Sequence, residues 1–216
     1  MNIALIGATG FVGKILTQEL LQRGHHVTAI ARHADALPPQ ENLTVKEADV
    51  FEEDDFVNAI SSADVVLSAY NPGWTNPDLY NEYLRGAKAI QAATKKASVK
   101  RLFVIGGAGS LYVAPGQQIV DTEGFPAEWK PGALAARDYL NIIKEEKELD
   151  WTFISPAIEM HAGTSGTRKG TYRTGLENPV FDEQQRSVIS AEDLSVAIAD
   201  ELEKPAHSRQ RFTVAY

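Results

Sequence analysis

The chain contains no cysteine. It therefore has no disulfide framework, no thiolate metal site and no cysteine nucleophile. This absence fits a reducing compartment. The first apolar run is interrupted by Gly7, and it is too short and wrongly flanked to be a signal peptide. We therefore expect a cytoplasmic protein.

Long apolar runs and excess positive charge are also missing. No stretch approaches the roughly 18 consecutive apolar residues needed to span a bilayer, so we expect no membrane association. The 21 Lys and Arg against 29 Asp and Glu give a formal net charge of -8. An acidic chain of this kind repels nucleic acid and anionic lipid. The five histidines have no spacing typical of metal ligands, so no metal site is predicted.

The first two thirds of the chain alternate short apolar runs with longer amphipathic stretches. At 216 residues, with 44% hydrophobic and 23% charged residues, we expect one globular domain covering residues 1–216. Alternating strands and helices predict a mostly parallel sheet with helices on both faces. The predicted strands are IALIG, HVTAIA, LTVKEAD, ADVVLSAY, KRLFVIGGAG and DWTFISPA, and the predicted helices are FVGKILTQELLQR, EEDDFVNAISSA, PDLYNEYLRGAKAIQAATKKAS and PGALAARDYLNIIKEEKEL.

The last third of the chain has a different pattern. The stretches GTRKGTYRTG and QQRSVIS are typical of short extended segments, and RQRFTVAY of a late strand. The stretch SAEDLSVAIADELEKP begins with a Ser-x-x-Asp cap and predicts a helix. We expect a small C-terminal cap on an α/β fold, with residues 157–190 as an elaboration on the substrate side.

The glycine-rich stretch GATGFVG lies between the first strand and the first helix. In such a turn, the first glycine permits the tight bend, the second lets a pyrophosphate approach the backbone, and the third lets helix and strand pack closely. The helix N-terminus then offers free N–H groups and partial positive charge to phosphates. The sequence therefore predicts a dinucleotide-binding turn made of Gly7, Thr9, Gly10, Phe11, Val12 and Gly13.

The Gly-x-x-Gly-x-x-Gly spacing, with ATG inside it, resembles the short-chain dehydrogenase/reductase superfamily. The chain is most similar to the atypical branch with NmrA-like proteins, biliverdin reductase B-like flavin reductases and NADH-flavin reductases. LDWTFISPA, GTYRTG, ISAEDLSVAIADELEKP and RQRFTVAY extend the resemblance over nearly the whole chain. The resemblance implies a Rossmann-type doubly wound fold and an NAD(P)H-dependent oxidoreductase.

The end of the second strand bears on the choice of dinucleotide. An acid there would bind the ribose hydroxyls of NAD and repel a 2′-phosphate. The chain has Arg32, whose planar charged fork suits a phosphate, and His33 as a second donor. Asp35 comes only after the strand end. We therefore expect NADP(H) in preference to NAD(H), with a solvated surface arginine as the alternative.

Other cofactor residues are expected where strands end, because open α/β sheets bind ligands at that edge. The resemblance implies that Asp49, with the N–H of Val50, holds the adenine amino group; the alternative is that Asp49 caps the next helix. The further candidates are Ser68, Ala69 and Tyr70 near ribose and pyrophosphate, Gly106 and Gly107 beneath the nicotinamide, and Ser155, Pro156 and Ala157 near the carboxamide.

The sequence lacks the Tyr-x-x-x-Lys pair with which alcohol-oxidising members of the superfamily move a proton. Neither Tyr83 nor Tyr139 has a lysine four residues later, and Gly107 stands where a serine is expected, with Ser110 following. Alcohol–ketone chemistry needs a proton delivered with the hydride. A flavin accepts hydride at N5, and solvent can supply the proton. We therefore expect a reductase of a small planar acceptor such as FMN or riboflavin; the alternative is an NmrA-like NADP(H) sensor without turnover. A nucleotide-sugar epimerase is disfavoured.

No catalytic residue is assigned from the sequence. Aromatic stacking on a planar substrate would suit Trp74 and Tyr112, and the alternative is that both fold onto the surface. A loop histidine can donate to a substrate or simply be solvated. The candidates for the substrate pocket are Tyr70, Trp74, Tyr112 and His161.

A basic cluster, Arg168, Lys169 and Arg173, stands out in this acidic chain. It could attract the phosphate of FMN, or it could be a solvated loop. Apolar residues on an outer helix could form a dimer interface, so the sequence leaves open whether the protein is a homodimer.

Overall fold

The computed structural model describes residues 1–33 and 37–216 and contains one large central sheet. Its strands are β1 (Asn2–Ile6), β2 (His26–Ala31), β3 (Leu43–Glu47), β4 (Val65–Ser68), β5 (Arg101–Ile105), β8 (Asp150–Ser155), β9 (Arg173–Gly175) and β10 (Gln210–Ala215). They lie in the order β3-β2-β1-β4-β5-β8-β10-β9. All neighbours are parallel except β9, which runs antiparallel to β10. A separate antiparallel hairpin is formed by β6 (Tyr112–Ala114) and β7 (Gln117–Gln118).

Helices cover both faces of the sheet. They are α1 (Phe11–Gln22), α2 (Glu53–Ile60), α3 (Leu79–Lys96), α4 (Lys130–Ile143) and α5 (Ala191–Glu203). Side chains alternate along β1, so that Ile3 and Leu5 pack with α1 and α5, and Ala4 and Ile6 face the other core. That second core is filled from α2, α3 and α4. A strand buried on both faces explains the continuous apolar run, and the predicted doubly wound fold is confirmed.

Two element ends differ from the prediction. The third strand ends at Glu47, two residues before Asp49, because a turn from Asp49 to Glu52 follows its last ladder bond. The helix predicted to reach Leu149 ends at Ile143. There the Glu146 carboxylate accepts the N–H of Glu148 at 2.7 Å, which turns the chain towards β8.

The C-terminal third contains the predicted helix and late strand but fewer extended segments. The Ser190 hydroxyl accepts the N–H of Asp193 at 3.0 Å, so the predicted cap of α5 is present. Only Arg173–Gly175 of the stretch GTRKGTYRTG is a strand. The stretch QQRSVIS contributes a single bridge, from Val188 to Glu159. No helix in the described ranges is long and apolar enough to cross a bilayer.

A charge network ties α1 to α5. The Glu19 carboxylate is 6% exposed and binds Arg23 at 2.8 Å and Arg168 at 2.9 Å. Arg23 continues to Asp200 on α5 at 2.7 Å. The hydrogen bond from Arg168 outweighs the effect of burial and, with Arg23, lowers the pKa of Glu19 below 4.5.

Replacement of this carboxylate should change how stability depends on pH. A depressed pKa contributes stability above the unfolded value, and this is lost as pH falls through the folded value. We expect Glu19→Gln to lower the free energy of unfolding by about 1–3 kcal/mol at neutral pH. The deficit should shrink as pH falls below 4.5. Urea denaturation across pH measures it, with the exposed Glu183→Gln as control; a deficit that is constant with pH would contradict the assignment.

Candidate functional site

The glycine turn brings β1, β4 and α1 into backbone contact. Gly7 has φ +79°, and a Cβ atom there would lie 2.4 Å from the carbonyl oxygen of Ala69. A Cβ atom at Gly13 would lie 2.0 Å from the carbonyl oxygen of Gly7. The first glycine therefore makes the turn and the third permits the close packing, as the pattern predicts.

The first turn of α1 is open to an anion. Gly10 is its N-cap, and no side chain caps the helix. Phe11 and Thr9 are exposed beside it, and Val12 is half-buried. Uncapped N–H groups at a helix N-terminus, beside a turn without side chains, fit a pyrophosphate. The contact of these residues with a dinucleotide remains a prediction.

A cavity of about 440 Å³ lies beyond the carboxyl ends of β2 and β3. Arg32 and His33 are exposed at its wall. Within residues 1–33 and 37–216, the Arg32 guanidinium has no hydrogen bond or ion pair, so it is available to a ligand. The predicted acid at position 35 falls outside the described residues. The lining residues are Arg32, His33, Glu47, Ala48, Asp49, Glu52 and Asp55.

Only one of the carboxylates that line this cavity, that of Asp49, was predicted from the sequence as a site residue. The predicted residue Asp49 accepts the N–H of Phe51 at 2.9 Å through Oδ1, which closes a local turn ahead of α2. It does not cap that helix, because the N-cap of α2 is Glu52 and no side chain accepts from its first turn. Val50 is buried beside Asp49. Glu47, Glu52 and Asp55 were missed as site residues, although the acidic start of α2 was visible in the sequence. Their charges act against a dianionic phosphate, whereas Arg32 attracts one.

The ring of Tyr70 has a packing role that the sequence did not predict. Its backbone follows Ser68 and Ala69 at the end of β4, but its ring packs onto α3. A Cβ atom at Gly86 would lie 2.3 Å from that ring, and the hydroxyl donates to the Glu82 carbonyl at 3.4 Å. Burial raises the pKa of Tyr70 to about 12. The ring is therefore held against α3, and its contact with a ligand stays a prediction.

Of the glycines after β5, Gly106 packs against an aromatic ring, whereas Gly107 and Gly109 face small side chains of α4. A Cβ atom at Gly106 would lie 1.9 Å from the Phe153 ring. Ideal Cβ positions at Gly107 and Gly109 lie 3.9 Å from Ala136 and 3.0 Å from Ala133. This face of α4 thus presents alanines. The predicted carboxamide segment, Ser155, Pro156 and Ala157, is buried at the end of β8.

The tyrosine of α4 is directed elsewhere. Tyr139 is 1% exposed, and its hydroxyl donates to Gln91 on α3 at 3.2 Å. Burial raises the pKa of this phenol. Tyr139 therefore cannot serve as an acid at the end of β5.

The other predicted pocket residues differ in what they offer. The Trp74 indole is 60% exposed and packs on Gly132, where a Cβ atom would lie 2.8 Å from the ring. Tyr112 is half-buried in β6. His161 is exposed, but its Nδ1 accepts the N–H of Gly163 at 3.0 Å and caps a short turn. Trp74 is therefore the residue best placed to stack on a planar ligand.

The predicted basic cluster is not a shared anion site. Arg168 is paired with Glu19. The Lys169 ammonium lies 3.5 Å from the ring centroid of Tyr216, and Arg173 donates to the backbone carbonyl of Phe181 at 2.7 Å. Each cation has a partner inside the protein. The structure therefore gives no support to a phosphate site formed by all three.

The close approach at Gly13 can be tested directly. We expect Gly13→Ala to lower the free energy of unfolding by about 1–3 kcal/mol, because backbone atoms must move to admit a methyl group. It should also weaken dinucleotide binding, since the first turn of α1 shifts. Thermal unfolding and a fluorescence titration with NADPH measure both effects.

The matched control is Gly124→Ala, where a Cβ atom meets nothing within 4 Å. Equal effects of the two substitutions on stability and binding would contradict the assigned role of Gly13.

The chain matches a known protein family and several proteins of known sequence. Residues 7–205 match the family model described as NAD(P)H-binding. The uncharacterised protein YwnB of Bacillus subtilis is 36% identical over 219 residues, covering 99% of this chain and 98% of YwnB. The chain spans about half the length of the plant dihydroflavonol 4-reductases it also matches.

Two solved structures are similar over the whole chain. A provisionally named epimerase from Bacteroides thetaiotaomicron is 42% identical, with a TM-score of 0.91, covering 100% of this chain and 96% of that one. A provisionally named NADH-flavin reductase from Streptococcus pneumoniae is 32% identical, with a TM-score of 0.86, covering 100% and 99%.

Proposed function

This chain belongs to the NAD(P)H-binding family, with a fold like that of the short-chain dehydrogenases/reductases, and from that premise we propose that it is an NAD(P)H-dependent reductase of a flavin or a similar planar acceptor. The observation that carries the proposal is the face of α4 opposite Gly107 and Gly109. It carries Ala133 and Ala136 rather than an acid–base pair. A reaction whose acceptor takes its proton from solvent fits such a site.

The chain's own residues bind and orient. The free N–H groups of the first turn of α1 would hold the pyrophosphate, and Gly10 at the N-cap has no side chain to obstruct it. Gly7 and Gly13 permit the tight turn and the close packing that place those groups. When bound, the dinucleotide supplies a hydride from its nicotinamide ring. Gly107, where an added Cβ atom would meet only Ala136 at 3.9 Å, leaves space beside the end of β5 for a planar acceptor. Positioning is then the protein's main contribution.

The acceptor is placed by the exposed surface near the start of α4. The six-membered ring of the Trp74 indole lies against Gly132, while much of the side chain remains accessible. An accessible aromatic ring that is held in place favours stacking with a flavin. The similarity to the Streptococcus pneumoniae protein supports this acceptor class. The epimerase name fits less well, because epimerisation requires side chains that remove and return a proton.

NADP(H) is the preferred dinucleotide in this proposal. Arg32 is an unpaired guanidinium within the described ranges, and it lines the cavity expected to hold the adenine-side ribose. Four carboxylates share that cavity, so the preference depends on Arg32 and is moderated by its neighbours.

Substitution of Arg32 tests this preference. We expect Arg32→Ala to raise the Kd for NADPH roughly tenfold or more, and to leave the Kd for NADH within about a factor of two. Glu52→Gln removes one opposing charge from the cavity, and should tighten NADPH binding about two- to fivefold. Titration of each variant with NADPH and with NADH at fixed ionic strength measures the ratio of the two Kd values. An unchanged NADPH affinity in Arg32→Ala would reject the 2′-phosphate assignment.

The activity itself is tested by steady-state oxidation of NADPH and NADH, with and without excess FMN or riboflavin. We expect flavin-dependent turnover with NADPH preferred. A Trp74→Ala variant should raise the KM for flavin and leave the Kd for NADPH unchanged. Tight NADPH binding without turnover of any flavin or quinone would instead favour the sensor alternative.

A further inference from the structure

A buried guanidinium, that of Arg211, contacts the segment that follows β5 and the last residue of β8. Arg211, on β10, has a side chain that is 0% exposed, and its counter-ion Glu177 is 46% exposed. The carboxylate accepts from Nε at 3.3 Å and also from Nη2. Burial acts to raise the pKa of Glu177, but the hydrogen bond and charge of Arg211 outweigh it and lower the pKa.

The remaining guanidinium nitrogen points to two buried hydroxyl groups. Nη1 of Arg211 lies 3.3 Å from Oγ of Ser110 and 3.4 Å from Oγ of Ser155. Ser110 follows the glycines at the end of β5, and Ser155 is the last residue of β8. One side chain therefore links the ends of two adjacent strands at the predicted nicotinamide edge.

The segment that carries Glu177 also binds the hairpin that contains Tyr112. The carbonyl of Glu177 accepts the N–H of Tyr112 at 2.9 Å, and Asn178 donates to the carbonyl of Tyr112 at 2.8 Å. Gln118, on the second hairpin strand, donates to the carbonyl of Ser110 at 2.8 Å. The segment from Ser110 to Gln118 is thus held from two sides.

Stability alone does not explain a charge in this place. Taking a guanidinium out of water is costly, and well-packed apolar residues often stabilise a core as well as a buried ion pair does. What arginine adds is a rigid fork that holds several partners in fixed directions. Here those partners belong to three separate segments of the chain.

We propose that Arg211 is a positioning residue that, through Glu177, Ser110 and Ser155, holds the segment after β5 in the conformation that receives the planar acceptor. The role rests on the proposed reductase function. Arg211 itself is fully buried, so it would act through these partners.

The test compares Glu177→Gln and Arg211→Met with a matched ion pair at the opposite end of the same strands. Arg101 and Asp150 are paired at 2.9 Å at the amino ends of β5 and β8, with side chains 12% and 40% exposed. We expect both test variants to raise the KM for FMN about tenfold, with kcat and the Kd for NADPH within about twofold. Asp150→Asn should leave the KM for FMN unchanged.

Amide hydrogen exchange over residues 108–118 gives a readout that needs no acceptor. Exchange should be faster in Glu177→Gln than in the wild type or Asp150→Asn, because the partners of the Tyr112 segment are loosened. If Arg211→Met does not fold, Glu177→Gln alone tests the positioning role. Unchanged exchange with an unchanged KM would overturn the proposal, and so would equal effects in Asp150→Asn. If exchange is faster in Glu177→Gln but the wild-type protein reduces no flavin, the positioning role is supported and the proposed function is contradicted.

Discussion

The backbone contact between α1 and the turn after β1 is the constraint on which the site depends. The α1 helix can begin where it does only because Gly13 leaves the carbonyl of Gly7 unobstructed. The same contact brings the uncapped first turn of α1 to the carboxyl edge of the sheet. That edge is where open parallel sheets bind ligands, so one packing requirement underlies both the fold and its candidate anion site.

Electrostatics and small residues then determine what the site can do. At the cavity beyond β2, Arg32 attracts a phosphate and the surrounding carboxylates limit that attraction. At the other end, alanines of α4 face the glycines after β5, and the one tyrosine of that helix is directed into the core. This arrangement fits the proposed hydride transfer, in which the protein positions the two rings and the described part of α4 supplies no tyrosine acid at the end of β5.

Much of the fold could be predicted from sequence, because the relevant signals are local. The strand His26–Ala31 was found as predicted, since its apolar run and flanking residues define it. The α4 boundary was missed because the charged residues after Ile143 are good helix formers. The turn there is stabilised by Glu146, which accepts from Gln91 on α3 at 2.7 Å, and this contact is tertiary.

Side-chain directions at the site could be predicted less well. Tyr70 follows a strand end, which favoured a pocket role, but the space for its ring is created by Gly86 on another element. Arg168 looked like a free cation because its partner Glu19 is 149 residues away in sequence. The glycine turn was predicted correctly because its backbone requirement is written in consecutive residues.

We propose that this protein moves hydride by positioning, with the proton taken from solvent. The single-turnover rate of flavin reduction with NADPH deuterated at C4, followed across pH, tests this proposal. We expect a clear primary isotope effect and a rate that does not change between about pH 6 and pH 9. A rate that follows the titration of a single group, and that is lost on mutation of Tyr112 or His161, would show that a side-chain acid takes part.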